Sequence, residues 1–408
     1  MTTVYPSGAT PLRGRYLVRN PALRAALQLG DAALELVRSP SASRSIDAPK
    51  RLLLAVGGHL GDAVIATSVL STLRRQFPSV EIGMVLPSWS AVVVEGHPEL
   101  QWIHVTDHWR TSRANVRLAG KWLRYRSTRG RSITEIHDVG YDAAVDLYPY
   151  YPNFADVLWR SRIPVRVGYR SGGLGSLYTH ATDWRDTRAH TSAQHLGLLS
   201  VLDPAIGARI DGPPLRYELP PLAPAIVSRA DDLLQREGLK VGEFVLAHPG
   251  VGGSLKAWPV PRWRELTERV AAGGRRVVLT GAGPDETRIA SEIAAGIAGA
   301  VNLCGRLDWS TFRAVIGRAR LVVGADSVAV HLAAAHGVPC VAITAGMSDP
   351  MHWHPLGDRV EVVTHGVPCA PCFRSAGCAT MSCVRDVSVG DVFDASGRVL
   401  NDGTGSDG

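Results

Sequence analysis

Cysteine is scarce in this chain. There are six in 408 residues, and four of them fall within Cys369–Cys383. That is too few, and too clustered, for an extracellular disulfide framework. Long apolar runs are absent too: no stretch approaches the roughly 20 residues a membrane span needs. The first residues, Met1 to Arg19, have no apolar centre followed by a small-residue cleavage site, so no signal peptide is expected and the cytoplasm is the expected compartment. Net charge is +7, which favours anionic partners. No basic run interleaved with aromatics sits beside a recognition-helix pattern, which argues against nucleic acid. The Gly-Lys-Ser/Thr order of a Walker loop is missing, and Thr280-Gly281-Ala282-Gly283-Pro284-Asp285-Glu286 fails the dinucleotide fingerprint because Glu286 stands where its third glycine belongs. An NAD-linked oxidoreductase is therefore disfavoured. What remains is an ordinary globular composition, 45% hydrophobic and 20% charged, long enough for two domains.

The most informative stretch is Gly324-Ala325-Asp326-Ser327-Val328-Ala329-Val330-His331. It follows the apolar run Leu321-Val322-Val323 and opens an Ala-rich helix. The first N–H groups of such a helix have no internal partner, and its dipole adds partial positive charge there. That favours a phosphate. Asp326 is wrong for a phosphate and right for sugar hydroxyls. The pair of features suggests a ligand carrying both, such as a nucleotide sugar.

The rest of the chain alternates strand and helix. Residues 1–50 form an extension with one helix opening at Asn20-Pro21, a capping amide followed by proline. Residues 51–220 start at the continuous apolar run Arg51 to Val56, suited to a strand buried on both faces. A helix opened by Asp62 is expected to run to about Phe77. Strands are expected at Val80–Leu86, Gln101–Val105 and Ala143–Leu147. Residues 203–224, rich in Pro and Gly, read as a linker. Alternation resumes through 221–395, and a tail over 396–408 reads as disordered. The order is that of two parallel-sheet α/β halves, in which ligands bind beyond the carboxyl ends of the strands.

Each further motif has a plain reading beside a functional one. The loop His248-Pro249-Gly250-Val251-Gly252-Gly253-Ser254-Leu255-Lys256 offers close backbone approach at Gly250, the Ser254 hydroxyl, and a point charge at Lys256, yet a Gly-rich loop with one Lys is more often plain loop. Glu286 reads as an acidic helix start, or as a ligand for base or ribose. In Gly57-Gly58-His59-Leu60-Gly61-Asp62, Asp62 reads first as a capping carboxylate and second as a general base in the cleft. From Arg110 to Arg131 eight basic residues occur with no acid. Leu118, Trp122 and Tyr125 share one helical face; Arg113, Arg117, Lys121 and Arg124 share another. That is either a solvated face over a packed one, or a surface for an anionic acceptor or peripheral contact with an anionic membrane. Cys369, Cys372, Cys378 and Cys383 have spacing open to structural Zn or Fe, with reduced thiols or a local disulfide as the alternative. Cys304 and Cys340 read as core.

Together these segments resemble glycosyltransferase family 9, the ADP-heptose:glycan heptosyltransferases. The carrying motifs are Gly61-Asp62, Tyr141-Asp142-Ala143-Ala144-Val145-Asp146, Pro249-Gly250 with Lys256-Ala257-Trp258-Pro259, the strand and Gly281 leading to Glu286, Asp326-Ser327 through His331-Leu332-Ala333-Ala334, and Cys369-Ala370-Pro371-Cys372. The resemblance implies a GT-B fold, two Rossmann-like domains facing across a cleft, and an inverting glycosyltransferase. It implies an N-terminal domain for the glycan or glycolipid acceptor, with Asp62 matching the base; on that side His59, Gly61 and Asp146 lie in or beside the matching motifs, Tyr148 stands in a segment that departs from the family, and Arg113, Arg117 and Lys121 are candidates from the basic segment alone. It implies a C-terminal domain for the ADP-heptose donor, with Lys256, Glu286, Asp326, Ser327 and His331 matching its donor site; Gly250 and Ser254 in the glycine-rich loop and Val328 at the helix start are donor-side candidates beside them. No catalytic metal is expected, since no Asp-x-Asp clamp accompanies the loops. Val328 stands where the family has glycine. That keeps open a UDP- or GDP-sugar donor; a non-catalytic nucleotide-sugar-binding protein is the other alternative.

Overall fold

The protein is described from a computed structural model covering residues 16–18, 20–37, 48–184, 189–211, 214–347, 349–372 and 377–401. It divides into two compact units, one ending at Pro220 and the other beginning at Pro221.

In order, the N-terminal unit contains α1 (Pro21–Val37), β1 (Arg51–Ala55), α2 (Leu60–Thr67), α3 (Leu70–Gln76), β2 (Glu81–Leu86), α4 (Ser88–Ala91), β3 (Leu100–Val105), α5 (Leu118–Val139), β4 (Ala143–Asp146), α6 (Ala155–Arg160), β5 (Val165–Tyr169), β6 (His180–Thr182), α7 (Thr191–Leu199) and α8 (Pro204–Gly207). Its six strands make one parallel sheet in the order β3-β2-β1-β4-β5-β6. The apolar run of β1 is central, buried from Leu52 to Val56, and pairs with β2 and β4. Leu53, Val85, Ile136, Tyr141, Phe154 and Tyr178 pack into one core. The N-terminal helix belongs to this unit. Asn20 Oδ1 accepts the Leu23 N–H, Leu27 is buried, and the buried Asp31 accepts from Tyr16 and Ser176 hydroxyls.

The C-terminal unit contains α9 (Pro224–Arg236), β7 (Val245–His248), α10 (Val260–Ala272), β8 (Val277–Leu279), α11 (Pro284–Ala294), β9 (Ala300–Asn302), α12 (Trp309–Ile316), β10 (Leu321–Ala325), α13 (Val328–Ala335), β11 (Cys340–Ile343), α14 (Pro350–Trp353), β12 (Val360–Val363), α15 (Ser382–Arg385) and α16 (Val389–Asn401). Its parallel sheet runs β12-β11-β10-β7-β8-β9. Taken from each unit's first strand, the two orders are the same. In both, the connections change direction between the first and fourth strands, β1/β4 and β7/β10. That position is where doubly wound sheets open a crevice for ligands.

Four sequence expectations need correction. The first helix starts at Leu60 and breaks at Ser68-Val69 instead of running from Asp62 to Phe77. Thr67 and Ser68 hydroxyls capture the carbonyls of Val64 and Ile65 at 2.7 and 2.6 Å, competing with the helix ladder. The stretch read as a linker holds α8 and a following helical turn, tied back by Gln76 Nε2 donating to Asp203 at 2.6 Å. The tail expected to be disordered from Ser396 is helical to Asn401, because Ala395, Ser396 and Val399 are buried; residues 402–408 lie outside the described set. Finally, α5 begins at Leu118, so Arg113 and Arg117 precede it and do not share a helical face with Lys121 and Arg124. Its buried side is Ser132 and Ile136, while Leu118 and Trp122 stand exposed.

Candidate functional site

The N-terminal unit places its candidates just beyond β1 and β4. His59 is the residue before α2, and Asp62 is the third residue inside it. The Asp62 carboxylate accepts the His59 N–H at 2.7 Å, closing a capping box. Gly58 is what allows this: a Cβ there would meet Asp62 Oδ2 at 2.2 Å. Gly61 lies in the same first turn, half-buried. Tyr148 stands beside them. Its phenol is pushed well above the usual range by burial, then by the Asp62 charge, with Arg113 opposing. Asp62, Tyr148 and Arg113 therefore share one electrostatic neighbourhood.

Asp146 lies beneath this surface. It is fully buried and accepts from Phe154 N–H at 2.7 Å, Tyr178 O–H at 2.8 Å and Tyr148 N–H at 3.2 Å. Burial pushes its carboxyl up to about 6 against those hydrogen bonds. Its role is to hold the loop that carries Tyr148. Lys121 donates to the Ser112 carbonyl at 2.9 Å, and Arg117 is exposed at the residue before α5.

A pocket that sequence reasoning missed opens beyond β1, β2 and β3. Its lining includes Gly57, Thr106, His108, Tyr125, Asn153 and Asp156. Thr106 is buried, and its Oγ1 finds no hydrogen-bond partner among the described residues. The imidazole of His108 is held down to about 4 by burial and by Arg110, so it is neutral at pH 7. Its ring lies 4.6 Å from that of Tyr125. The signal in the sequence was only positional: Thr106 follows the end of β3, where such folds place ligands.

The C-terminal unit gathers the expected donor residues beyond β7 and β10. The turn Ser254–Lys256 follows β7, and Lys256 Nζ donates to Asp326 Oδ2 at 2.6 Å. Trp258 anchors this loop: it is buried, donates to the Val387 carbonyl at 2.9 Å and meets Trp263 edge-on at 5.0 Å. Asp326 extends β10, its N–H donating to the Ile343 carbonyl at 2.9 Å. Burial pushes its carboxyl up, but the charge and hydrogen bond of Lys256, with His331, outweigh this and hold it below the ordinary value. His331 is buried in α13 and held down to about 4, by burial first. Ser327 is the residue before α13, and its Oγ is buried without a hydrogen-bond partner among the described residues. Val328, half-buried, is the first residue of that helix. Glu286 Oε2 accepts the Ala282 N–H at 2.8 Å, and its carboxylate lies so close to Gly250 and Gly281 that a Cβ at either would meet it at 2.6 and 2.7 Å. The side chain of Ser254 lies outside what is described. The buried His248 was also missed; its Nδ1 lies 3.0 Å from Thr280 Oγ1.

The four late cysteines lie near one another in the C-terminal unit. Among the described residues no group of three or more His, Cys, Asp or Glu side chains is placed to hold an ion. Cys383 is packed in the hydrophobic core, Cys369 and Cys378 are exposed, and Cys378 Sγ accepts the Met381 N–H at 3.4 Å. Burial raises the Cys383 thiol, and the other three thiols add to it, so the four are neighbours. Cys304 and Cys340 are buried.

Two doubly wound units of identical strand order, with polar clusters beyond their central strands, define a GT-B-type glycosyltransferase architecture. The family model for "Glycosyltransferase family 9 (heptosyltransferase)" matches residues 134–380, and the chain belongs to that family; it is a glycosyltransferase. It is 25% identical over 313 residues to lipopolysaccharide heptosyltransferase 3 of Escherichia coli, covering 74% of this chain and 84% of the relative. Among solved structures, a family 9 glycosyltransferase from Veillonella parvula matches with a TM-score of 0.69 at 18% identity, covering 89% of this chain and 100% of that one. The E. coli heptosyltransferase WaaC, solved with ADP, matches with a TM-score of 0.62 at 18% identity, covering 86% of this chain and 99% of the other.

Proposed function

We propose that this enzyme moves a heptose, or a closely related sugar, from ADP-heptose to a hydroxyl of a lipopolysaccharide-type glycan, with inversion at the anomeric carbon. The observation that carries the donor half is the Lys256–Asp326 pair at the opening of α13, beside a Ser327 hydroxyl with no partner among the described residues. Cationic, hydroxyl and helix-start donors suit a diphosphate, and a carboxylate suits sugar hydroxyls. A relative that is a named lipopolysaccharide heptosyltransferase and a structural neighbour solved with ADP support the same choice.

In this reading the acceptor oxygen attacks the anomeric carbon as the carbon–phosphate-oxygen bond breaks. The diphosphate leaves with the electron pair, and Lys256 with the first N–H groups of α13 stabilises the charge that grows on it. Asp62 takes the acceptor proton. Gly250 and Glu286 line the nucleoside side of the donor site. His331, which is electrostatically coupled to Asp326, orients it in this reading. On the acceptor side Tyr148 and Arg113 flank Asp62, and the pocket at Thr106 and His108 takes acceptor hydroxyls.

Donor calorimetry tests this. ADP-heptose and ADP are expected to bind, and UDP- and GDP-sugars to bind at least about tenfold more weakly, a difference of about 1.4 kcal/mol. Preference for UDP or GDP compounds would transfer the assignment to another donor. Binding without transfer to any glycan would leave a nucleotide-sugar-binding protein.

A further inference from the structure

An unusual surface of the N-terminal unit lies at the start of α5. Val116, Leu118, Trp122 and Leu123 are 55%, 63%, 44% and 62% exposed. At 100° per residue, Leu118, Trp122, Ala119 and Leu123 fall within one arc of the helix, and Val116 adjoins it. Arginines flank this apolar arc. Arg117 and Arg126 make no ion pair among the described residues, and the Arg126 guanidinium lies 4.8 Å over the Trp122 ring. There is no acid between Asp107 and Glu135.

We propose that the Val116–Arg126 face is a docking surface for an anionic lipid bilayer. A helix face that joins Trp and Leu to flanking Arg matches the two forces of an interfacial helix: apolar insertion at the headgroup boundary and attraction to anionic lipid. Trp122 has the residue type favoured at that boundary. A second copy of the chain fits this surface poorly. A stable interface needs about 800 Å² on each partner, whereas this apolar arc spans four large side chains, and its flanking Arg117 and Arg126 repel their own copies. The proposal is independent of which donor the enzyme uses, so vesicle binding and donor binding fail separately.

The experiment is co-sedimentation of the full chain with large unilamellar vesicles. Vesicles about one-third phosphatidylglycerol are expected to bind the protein roughly tenfold or more over pure phosphatidylcholine, with binding weakened by salt. The variant Leu118→Ser/Trp122→Ser/Leu123→Ser is expected to lose roughly tenfold in partition while keeping its near-UV circular dichroism and donor affinity. Leu29→Ser/Leu36→Ser is the control, since those leucines are 73% and 88% exposed on α1; it should bind vesicles unchanged. The proposal is overturned if anionic vesicles are not bound, if the α5 variant binds as well as the parent, or if the α1 variant loses as much. Dimerisation that the α5 substitutions abolish, without vesicle binding, would assign the face to a second copy instead.

Discussion

The two units share a strand order and differ in what they put at the same point of it. Beyond β1 and β4 the N-terminal unit sets the Asp62 carboxylate among Tyr148, Arg113 and an aromatic pocket that also holds Asp156. Beyond β7 and β10 the C-terminal unit sets an ion pair, a neutral buried histidine and a helix start. The first is a broad, aromatic, arginine-rich surface that can take an extended ligand. The second is a compact cluster suited to a diphosphate. Topology chooses the location and side chains choose the chemistry.

The largest expected effect comes from the N-terminal cluster. Asp62→Asn keeps an oxygen for the His59 N–H, so the fold and donor affinity should persist while kcat falls by about 10²–10⁴-fold. Steady-state kinetics with donor calorimetry checks this, and a variant within a factor of two or so of the parent would remove Asp62 as the base.

Next comes the C-terminal cluster. Lys256→Ala removes a charged hydrogen-bond donor and is expected to weaken ADP binding by about 1.5–3 kcal/mol, with no change in acceptor KM. Unchanged affinity in calorimetry would take Lys256 out of the donor site and erase the contrast between the two units.

Acid should separate the units. In the C-terminal one, His248, His331 and His336 are all held down to about 4, by burial first, against an ordinary value of 6.5. The unfolded chain takes up these protons first, so their stabilisation is complete above about pH 6.5 and is lost as pH falls towards 4. The N-terminal unit has His108 and His195 held down to about 4 as well, and each unit has one further imidazole lowered by burial, His104 and His354, but the N-terminal unit also has Asp146, raised to about 6. That carboxyl works the other way: the folded state takes up its proton first, so acidification through pH 6 relieves a penalty. The C-terminal unit should open at the higher pH. All six cysteines lie in that unit, and Cys304 and Cys340 are buried, so labelling at those two positions reports its opening alone. Loss of far-UV circular dichroism before Cys340 reacts would reverse the order.

The smallest effect is at the pocket. Thr106→Val removes a buried hydroxyl that has no partner among the described residues. Leaving such a group unpaired costs about 1–3 kcal/mol, so the free protein should gain up to about that much stability by thermal melt. If the pocket takes acceptor hydroxyls, acceptor KM rises while donor affinity holds. A variant that is less stable and kinetically unchanged would make Thr106 a purely structural residue.

Much of this was legible from sequence, for identifiable reasons. Continuous apolar runs such as Leu52–Val56 and Leu321–Val323 become central parallel strands because both faces are covered. Asp308 caps α12 through the Thr311 N–H at 2.8 Å, a local signal needing no tertiary knowledge. The break at Ser68 was less legible: its hydroxyl also meets Ser192 at 2.8 Å, a contact 124 residues away in sequence. The four late cysteines read by spacing as a metal-ligand set or as free thiols; that Cys383 packs in the core is something spacing carries no information about. The exposed apolar start of α5 was read in part as a packed face, because periodicity identifies a face without saying what covers it.

By itself the sequence determined the strand–helix alternation, the two-unit organisation of motifs and the residue types available at each strand end. These follow from periodicity, capping and chain connectivity, which are local. Tertiary structure decided that Asp62 closes a capping box beneath Gly58, that Asp146 is buried under the Tyr148 loop, and that Lys256 reaches Asp326 across 70 residues of chain. Those outcomes depend on which strands become neighbours and on how much water each carboxylate loses, and both are properties of packing.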